Sequence, residues 1–317
     1  MTPILEVTQV GRRFETAGLD PLIAVDDVSF ALARGETLGI VGESGCGKST
    51  LARMVLKLLP VSTGRIRLDG VDVTDLSEAR MRPLRRAMQA VFQDPMSSLN
   101  PRMRVRDIVA EPMRAAGIPA VSRAARVRDM LSIVGLPTDA ADRYPHAFSG
   151  GQRQRIAIAR ALASAPRLVV CDEATSALDV SVQAQVLNLL GDLRARYGLA
   201  MLFISHNLGA VRQIADRVAI MYLGRIVETG PVDAIFAAPA HPYTAALIAA
   251  VPEPDPDLPP PAPLAGEIPN ARARPAGCHF HPRCPKAQSR CHVEDPALVD
   301  GGDGRALRCH FPNRGSA

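Results

Sequence analysis

The octapeptide Gly42-Glu43-Ser44-Gly45-Cys46-Gly47-Lys48-Ser49 constrains this 317-residue chain more than any other segment. It fits the pattern G-x-x-x-x-G-K-[ST]. An apolar run, Thr37–Val41, precedes it, and a helical pattern from Lys48 to Leu59 follows. The glycines let successive backbone N–H groups turn inward and ring a phosphate. Lys48 adds a point charge for the β- and γ-phosphates, and Ser49 offers its hydroxyl to Mg²⁺. The helix that follows points its positive end at the anion. The expected nucleotide set is therefore Gly42, Ser44, Gly45, Cys46, Gly47, Lys48, Ser49 and Thr50. A strand, a glycine loop and a helix in this order open an α/β nucleotide fold.

The rest of the chain continues that pattern. Leu5–Val10, Val25–Ala33 and Arg65–Leu68 read as strands, the last closed by the turn signal Asp69-Gly70. Leu168–Cys171 and Met201–Ile204 read as short buried strands. Between them Val180–Tyr197 reads as a helix stopped by Gly198. Val218–Met221 and Arg225–Glu228 flank a hairpin turn. Strands alternating with helices predict a parallel sheet. Residues 94–160 are helical in pattern and carry Pro101, Pro112, Pro119, Pro137 and Pro145, so they read as a helical lobe inserted in the core. The segment Val251–Pro263 is proline-rich and aperiodic and reads as a semi-rigid linker.

The strand at Leu168 ends in two acids, Asp172 and Glu173. A strand end at this point puts Asp172 beside the metal held by Ser49. Glu173 is then placed to orient and deprotonate an attacking water. Two surface acids at a strand end are the plain alternative, and the phosphate loop upstream weighs against it.

Further motifs stand in order along the chain. Phe148-Ser149-Gly150-Gly151-Gln152 resembles the signature loop of ABC ATPases, with phenylalanine in place of the leading leucine. Gln93 lies in VFQDP, Asp179 in SALD and His206 in FISHNL. Together they cover about residues 5 to 230. The resemblance implies a P-loop NTPase of α/β class: a RecA-like core with an antiparallel β-subdomain and an inserted helical subdomain. On that basis residues 1–250 form the ATPase domain. The resemblance also implies ATP and Mg²⁺ held between two subunits packed head to tail. Ser149, Gly150, Gly151 and Gln152 of one subunit then meet the γ-phosphate of the other, and Asp179 works across the dimer. Gln93 contacts Mg²⁺ and the water, and His206 holds the γ-phosphate in cis. Phe14 stands about where the family stacks an aromatic on adenine, although burial in the core is the commoner fate of an aromatic.

VFQDPMSSLNPR, Val91 to Arg102, and HPYTAAL, His241 to Leu247, resemble the oligopeptide and dipeptide importer branch. That branch implies two transmembrane permease subunits, a second ATPase subunit, identical or homologous, and an extracytoplasmic peptide-binding protein. The expected place is the cytoplasmic face of the bacterial inner membrane, as a peripheral subunit. The branch also includes nickel and other small-solute importers.

Two further features bear on compartment and tail. The N-terminus, MTPILEVTQV, lacks a basic segment followed by an apolar stretch, so it does not read as a secretory signal. No run approaches the ~18 uncharged apolar residues of a spanning helix. In the reducing compartment that this implies, clustered cysteines read as metal-binding or redox-active before disulfide. Cys278, Cys284, Cys291 and Cys309 cluster in a C-terminal extension, residues 271–317, beyond a linker at 251–270. Four thiolates fit a zinc or an iron–sulfur centre, and free buried thiols are the third option. Some members of the branch carry a [4Fe–4S] cluster there, and the expected set is these four cysteines, with Zn²⁺ as the alternative. The nearby His279, His281, His292 and His310 offer substitute ligands, with a solvated place or one supporting the ligands as the plainer reading. On this reading the tail lies far from the phosphate loop.

The net charge of +5 permits a competing reading, a soluble ABC ATPase acting on nucleic acid or ribosomes. The densest basic run, Arg80–Arg86, carries no interleaved aromatics. The expectation is therefore no nucleic-acid partner.

Overall fold

The computed structural model describes residues 2–251 and 266–313. The linker expectation falls mostly on 252–265, outside the described residues. In chain order the strands are β1 (Leu5–Thr16), β2 (Leu19–Leu32), β3 (Thr37–Val41), β4 (Thr63–Leu68), β5 (Val71–Asp72), β6 (Met88–Val91), β7 (Leu168–Asp172), β8 (Ala200–Ser205), β9 (Arg217–Tyr222), β10 (Arg225–Pro231), β11 (Val299–Gly302) and β12 (Arg305–Leu307). The helices are α1 (Lys48–Val55), α2 (Glu78–Met81), α3 (Pro95–Ser98), α4 (Val105–Ala115), α5 (Ala120–Ile133), α6 (Gly150–Ala163), α7 (Val180–Tyr197), α8 (Leu208–Ile214), α9 (Val232–Ala237), α10 (Pro242–Ala249) and α11 (Ser289–Val293).

Two sheets organise the molecule. The first is antiparallel, in the order β2-β1-β4-β5. The second runs β11-β12-β10-β9-β3-β8-β7-β6. Its segment β9-β3-β8-β7-β6 is parallel throughout. Every residue of β3, β7 and β8 is buried. Strands covered on both faces must be apolar without alternation, which is what LVVCD and AMLFIS supply. Each fully buried Leu, Ile or Phe here contributes about 1.5–3 kcal/mol relative to exposure.

The local rules account for most boundaries. Helix α7 begins at Asp179, whose carboxylate accepts from Val182 N at 2.9 Å, and ends at Gly198 with φ 61°. Helix α1 stops at Val55, short of the expected Leu59, because Lys57 takes φ 54° and Leu58 N returns to Arg53 O at 2.8 Å. β1 runs on to Thr16, past the expected Val10, since it pairs with β2 through several bulges. That extension carries Phe14 onto a strand. Of the six prolines at 94–160, Pro95 opens α3, Pro119 precedes α5, and Pro137 and Pro145 start short 3-10 turns, where the missing N–H costs nothing. Pro112 alone lies inside a helix, α4. The lobe closes on itself through Ile108, Met113, Met130, Leu131 and Ile156.

The tail is seated on this body. β12 pairs antiparallel with β10, Glu228 opposite Leu307. Phe280, 2% exposed, enters the main core and packs against Tyr222, Tyr243 and His241, with ring centroids 5.3–5.7 Å apart. Arg274 donates to Asp26 at 2.6 Å, and Arg308 to Asp27 at 2.9 Å. The expectation of a tail remote from the phosphate loop is therefore corrected. Apolar burial at Phe280 and a row of arginines fix the tail to the face that carries the loop.

Among the described residues, no helix is long and apolar enough to cross a membrane.

Candidate nucleotide site

The parallel order decides where the chemistry gathers. β3, β8, β7 and β6 are neighbours that run in one direction, so their C-terminal ends share an edge. The phosphate loop leaves β3, His206 follows β8, Asp172 and Glu173 close β7, and Gln93 stands in the bend just after β6.

Within the loop, Gly47 has φ 107°, and a Cβ there would strike Ala24 O. A Cβ on Gly42 would strike Met221 O. Both positions need glycine for space, and Gly47 also for its backbone angle. Gly224 N donates to Cys46 O at 2.9 Å, which ties the loop to the β9–β10 turn. Gly45 and Ser44 are exposed, and Thr50 is half-buried on α1. The buried Cys46 thiol is pushed up by desolvation, so it is a neutral packing group and not a nucleophile. Lys48 is 4% exposed, and its Nζ donates to Gly42 O at 2.7 Å and Glu43 O at 3.0 Å. The ammonium is thus aimed by two carbonyls of its own loop.

Ser49 Oγ donates to Asp172 Oδ1 at 2.9 Å. Burial raises the Asp172 carboxyl above its ordinary range, and neighbouring Glu173 raises it further, against the Ser49 hydrogen bond and the charges of Arg53 and Lys48. A divalent cation at this pair relieves that penalty, since it stabilises the ionised form. The hydroxyl–carboxylate pair is the donor set that Mg²⁺ takes, one or two protein oxygens with phosphates and water completing the shell.

Glu173 sits at φ 50°, an uncommon angle for a residue with a side chain. Its N–H donates to Ile204 O at 2.9 Å, so the sheet holds the conformation. Strain of this kind costs on the order of 1–3 kcal/mol and persists where surrounding structure enforces it. His206 Nδ1 lies 3.4 Å from Glu173 Oε2 and half its side chain is exposed. The structure thus brings Lys48, Ser49, Asp172, Glu173 and His206 together. Gln93 is exposed at the same edge.

The remaining expected residues lie elsewhere. Ser149 caps α6: its Oγ accepts from Gln152 N at 3.3 Å, and Gln152 Oε1 accepts from Ser149 N at 3.0 Å. Gly150 and Ser149 are exposed. Gly151 backs onto Val182 of α7, where a Cβ would strike the valine. The N-termini of α6 and α7 are therefore side by side, and Asp179 is exposed at the second of them. The Val182 N–H and then the Ser181 hydroxyl hold the Asp179 carboxyl below its usual range. Phe14 is half-buried on β1, under the Arg12 guanidinium at 4.6 Å from its ring centroid. Its ring is outside the buried core, and Arg12 covers it.

Comparison with known proteins places this arrangement. The profile described as "ABC transporter" matches residues 25–176. The profile "Oligopeptide/dipeptide transporter, C-terminal region" matches 227–291. The chain is 55% identical over 291 residues to the "Probable peptide ABC transporter ATP-binding protein y4tS" of Sinorhizobium fredii, covering 90% of this chain and 82% of that one. This chain belongs to the ABC transporter ATP-binding proteins. Among solved structures it resembles the ATP-binding cassette MJ0796, determined as a dimer in a post-hydrolysis state with ADP and phosphate. The TM-score is 0.66 at 26% identity, covering 72% of this chain and 98% of that one. It also resembles CbiO1 of Clostridium perfringens, TM-score 0.66 at 28% identity, covering 75% and 92%.

The ABC fold of this chain has site neighbours that sequence reasoning did not single out. Tyr243 Oη accepts from Glu43 N at 3.0 Å, and Arg283 pairs with the Glu43 carboxylate. Tyr243 had a signal, since it lies in HPYTAAL. Arg283 had none, because 240 residues separate it from its partner. The HPY segment is pinned by Glu228, 1% exposed, which accepts from Ala240 N and His241 N at 2.9 Å each.

His241 caps α10, its Nδ1 accepting from Tyr243 N at 3.0 Å. Burial pushes its imidazole from 6.5 down to about 3. The folded chain therefore keeps it neutral, while the unfolded chain takes up a proton as pH falls through 6.5. Stability should drop across the window from about 6.5 to about 3, at up to about 1.4 kcal/mol per pH unit from this group. His241→Asn keeps a capping acceptor and removes the titration. Urea unfolding of the variant should lose roughly 2 kcal/mol less between pH 7 and pH 5 than the wild type loses. Equal losses in the two proteins count against this role.

The tail cysteines come into one neighbourhood. Cys278 N donates to Cys291 O at 2.9 Å. Desolvation raises the Cys309 thiol to about 11, with Cys278, Cys284 and Cys291 adding to it. Among the described residues, however, no group of three or more His, Cys, Asp or Glu side chains is arranged to hold a metal ion. The expected [4Fe–4S] or zinc set is therefore not built as a coordination shell here. Cys278, Cys284 and Cys309 are partly buried, and desolvation raises each of their thiols.

Proposed function

We propose that this ATP-binding subunit hydrolyses ATP to drive import of dipeptides or oligopeptides through a membrane permease. One observation carries the reading of the engine: the shared edge of β3, β6, β7 and β8 gathers Lys48, Ser49, Gln93, Asp172, Glu173 and His206. In this reading the phosphate loop cradles the β- and γ-phosphates, and Ser49, Asp172 and Gln93 hold Mg²⁺. Glu173 takes the proton of the attacking water, and His206 holds the γ-phosphate. Ser149, Gly150, Gly151 and Asp179 act on the nucleotide of a second copy or a sister subunit. Phe14 stacks on the adenine once Arg12 is displaced.

Peptide cargo is supported by the C-terminal region match and by the printed name of the Sinorhizobium relative. The implied partners are two transmembrane permease subunits, a second ATPase subunit and an extracytoplasmic peptide-binding protein. The implied place is the cytoplasmic face of the membrane. The basic run offers the nucleic-acid reading little. Arg85 is paired with Glu78 at 2.7 Å, and Arg86 donates to Ser164 O at 3.3 Å. Co-purification with permease subunits, and peptide uptake lost in a Glu173→Gln strain, test the proposal. Unchanged uptake, or salt-dependent DNA binding in its place, overturns it.

The dimer reading makes a separate prediction. Ser149→Ala should leave ATP binding by one subunit intact and lower turnover of the assembled transporter by about tenfold or more, as the loss of one phosphate-directed donor. It also removes a helix cap, so the melting curve is measured beside the turnover. Weakened binding in the isolated subunit contradicts action in trans.

For the tail we carry the finer reading of a [4Fe–4S] centre on Cys278, Cys284, Cys291 and Cys309, with Zn²⁺ as the alternative. It rests on four cysteines in one small extension, two of them joined by the Cys278 N to Cys291 O bond at 2.9 Å, and not on a formed shell. Iron and sulfide in anaerobically purified protein support it. Zinc without iron, or neither metal, overturns it.

A further inference from the structure

The strongest unexplained feature is an acid inside the loop that takes a polyanion. Glu43 is the second residue of the phosphate loop. Its backbone is fully engaged: N–H to Tyr243 Oη at 3.0 Å, and C=O from Lys48 Nζ at 3.0 Å and Cys46 N at 3.3 Å. Its carboxylate is thereby held at the site, where it opposes the negative charge of any nucleotide phosphate. The tail answers it. Arg283 Nη1 and Nη2 donate to the two carboxylate oxygens at 2.7 and 3.0 Å, a fork-to-fork pair. The Arg283 side chain is 3% exposed, so solvent screens the pair little. Its guanidinium carbon lies 5.9 Å from the Tyr222 ring centroid. Its backbone N–H donates to Phe280 O at 3.0 Å, and Phe280 is anchored in the core. The arm that delivers the charge is thus fixed at its root.

We infer that Arg283 of the C-terminal extension is a positioning residue for the phosphate loop. It neutralises Glu43 and holds the loop in the shape that accepts the nucleotide. The inference rests on reading residues 42–49 as the nucleotide loop. It also gives the extension a direct part in ATP binding, whether or not the cysteines carry a metal. A residue that merely docks the tail would, when lost, loosen the tail to proteases and leave ATP affinity unchanged wherever the tail stays seated, and this separates the two roles.

The test uses the full chain with MgATP in calorimetry, with proteolysis to report whether the tail stays seated. Arg283→Gln should raise the Kd for ATP about tenfold or more, because the acid is left uncompensated. Glu43→Gln in the same chain should bring the Kd back to within about threefold of wild type, since the charge to be neutralised is gone. Arg283→Lys should fall between, keeping the charge and losing the fork. Wild-type affinity in Arg283→Gln overturns the inference, and so does a loss that Glu43→Gln fails to repair. If Arg283→Gln does not fold, a folded double variant that binds ATP within about threefold of wild type supports the inference, and one that is unfolded or binds ATP weakly overturns it. Lys48→Ala is the control for the site itself. If it binds ATP as the wild type does, the loop reading fails and this inference with it. If Lys48→Ala loses binding and Arg283→Gln does not, this inference alone fails.

Discussion

Glu173→Gln is expected to bind MgATP with wild-type affinity and to hydrolyse it on the order of 10²–10⁴ times more slowly, the contribution of a positioned general base. Glutamine keeps the shape of the side chain and cannot take a proton from water. The backbone favours a clean result. φ 50° at this position is enforced by the bond to Ile204 O, and glutamine bears the same backbone demand as glutamate. The fold should therefore not relax around the change. A nucleotide that is bound and not cleaved should also hold two subunits closed, so the variant should run as a dimer with ATP and as a smaller species without it. Turnover within about tenfold of wild type in the assembled transporter, roughly 1.4 kcal/mol of barrier, removes Glu173 from the role of base. His206, 3.4 Å away, is then the next residue to replace.

Lys48→Ala should abolish tight ATP binding. The lysine is almost wholly buried and held by the carbonyls of Gly42 and Glu43, so its charge is delivered to the loop interior without solvent screening. Two charge-assisted contacts to phosphate oxygens, at about 1.5–3 kcal/mol each, correspond to a loss of more than a hundredfold in affinity. Removal also takes the lysine donor from Gly42 O and one of two donors from Glu43 O, so a melting curve accompanies the calorimetry. A folded variant that retains micromolar affinity contradicts the assignment. Glu173→Gln and Lys48→Ala divide the site: one should lose chemistry and keep binding, the other should lose binding first.

These predictions were reachable from sequence because each depends on a short local pattern. G-x-x-x-x-G-K-S needs only eight residues to state its geometry, and the structure shows why substitutions fail at Gly42 and Gly47: backbone carbonyls of Met221 and Ala24 occupy the space. The apolar runs at Thr37, Leu168 and Met201 announced buried parallel strands, and once those strands are neighbours their shared ends fix Asp172, Glu173 and His206 together. Gly198 marked the end of α7 through capping chemistry, and the structure adds Asp179 as the cap at its start. Boundaries slipped where local signals were contradicted by pairing, as in β1, or by one residue at positive φ, as at Lys57.

The tail was the opposite case. Its cysteines suggested a metal-held unit beyond a linker, and composition could not show where that unit sits. Tertiary structure decided it: Phe280 found a gap among Tyr222, Tyr243 and His241, β12 found the edge of β10, and Arg283 found Glu43. None of these pairs has a sequence signature. Each depends on shape complementarity, an open strand edge, or the meeting of opposite charges across 240 positions of chain. The sequence by itself determined the nucleotide loop, the strand–helix alternation and the carboxylate pair, because short-range hydrogen bonding and hydrophobic periodicity dictate them. Only the folded chain decided that the extension closes on the phosphate loop, because burying an aromatic and an ion pair requires surfaces that exist only once the two sheets have formed.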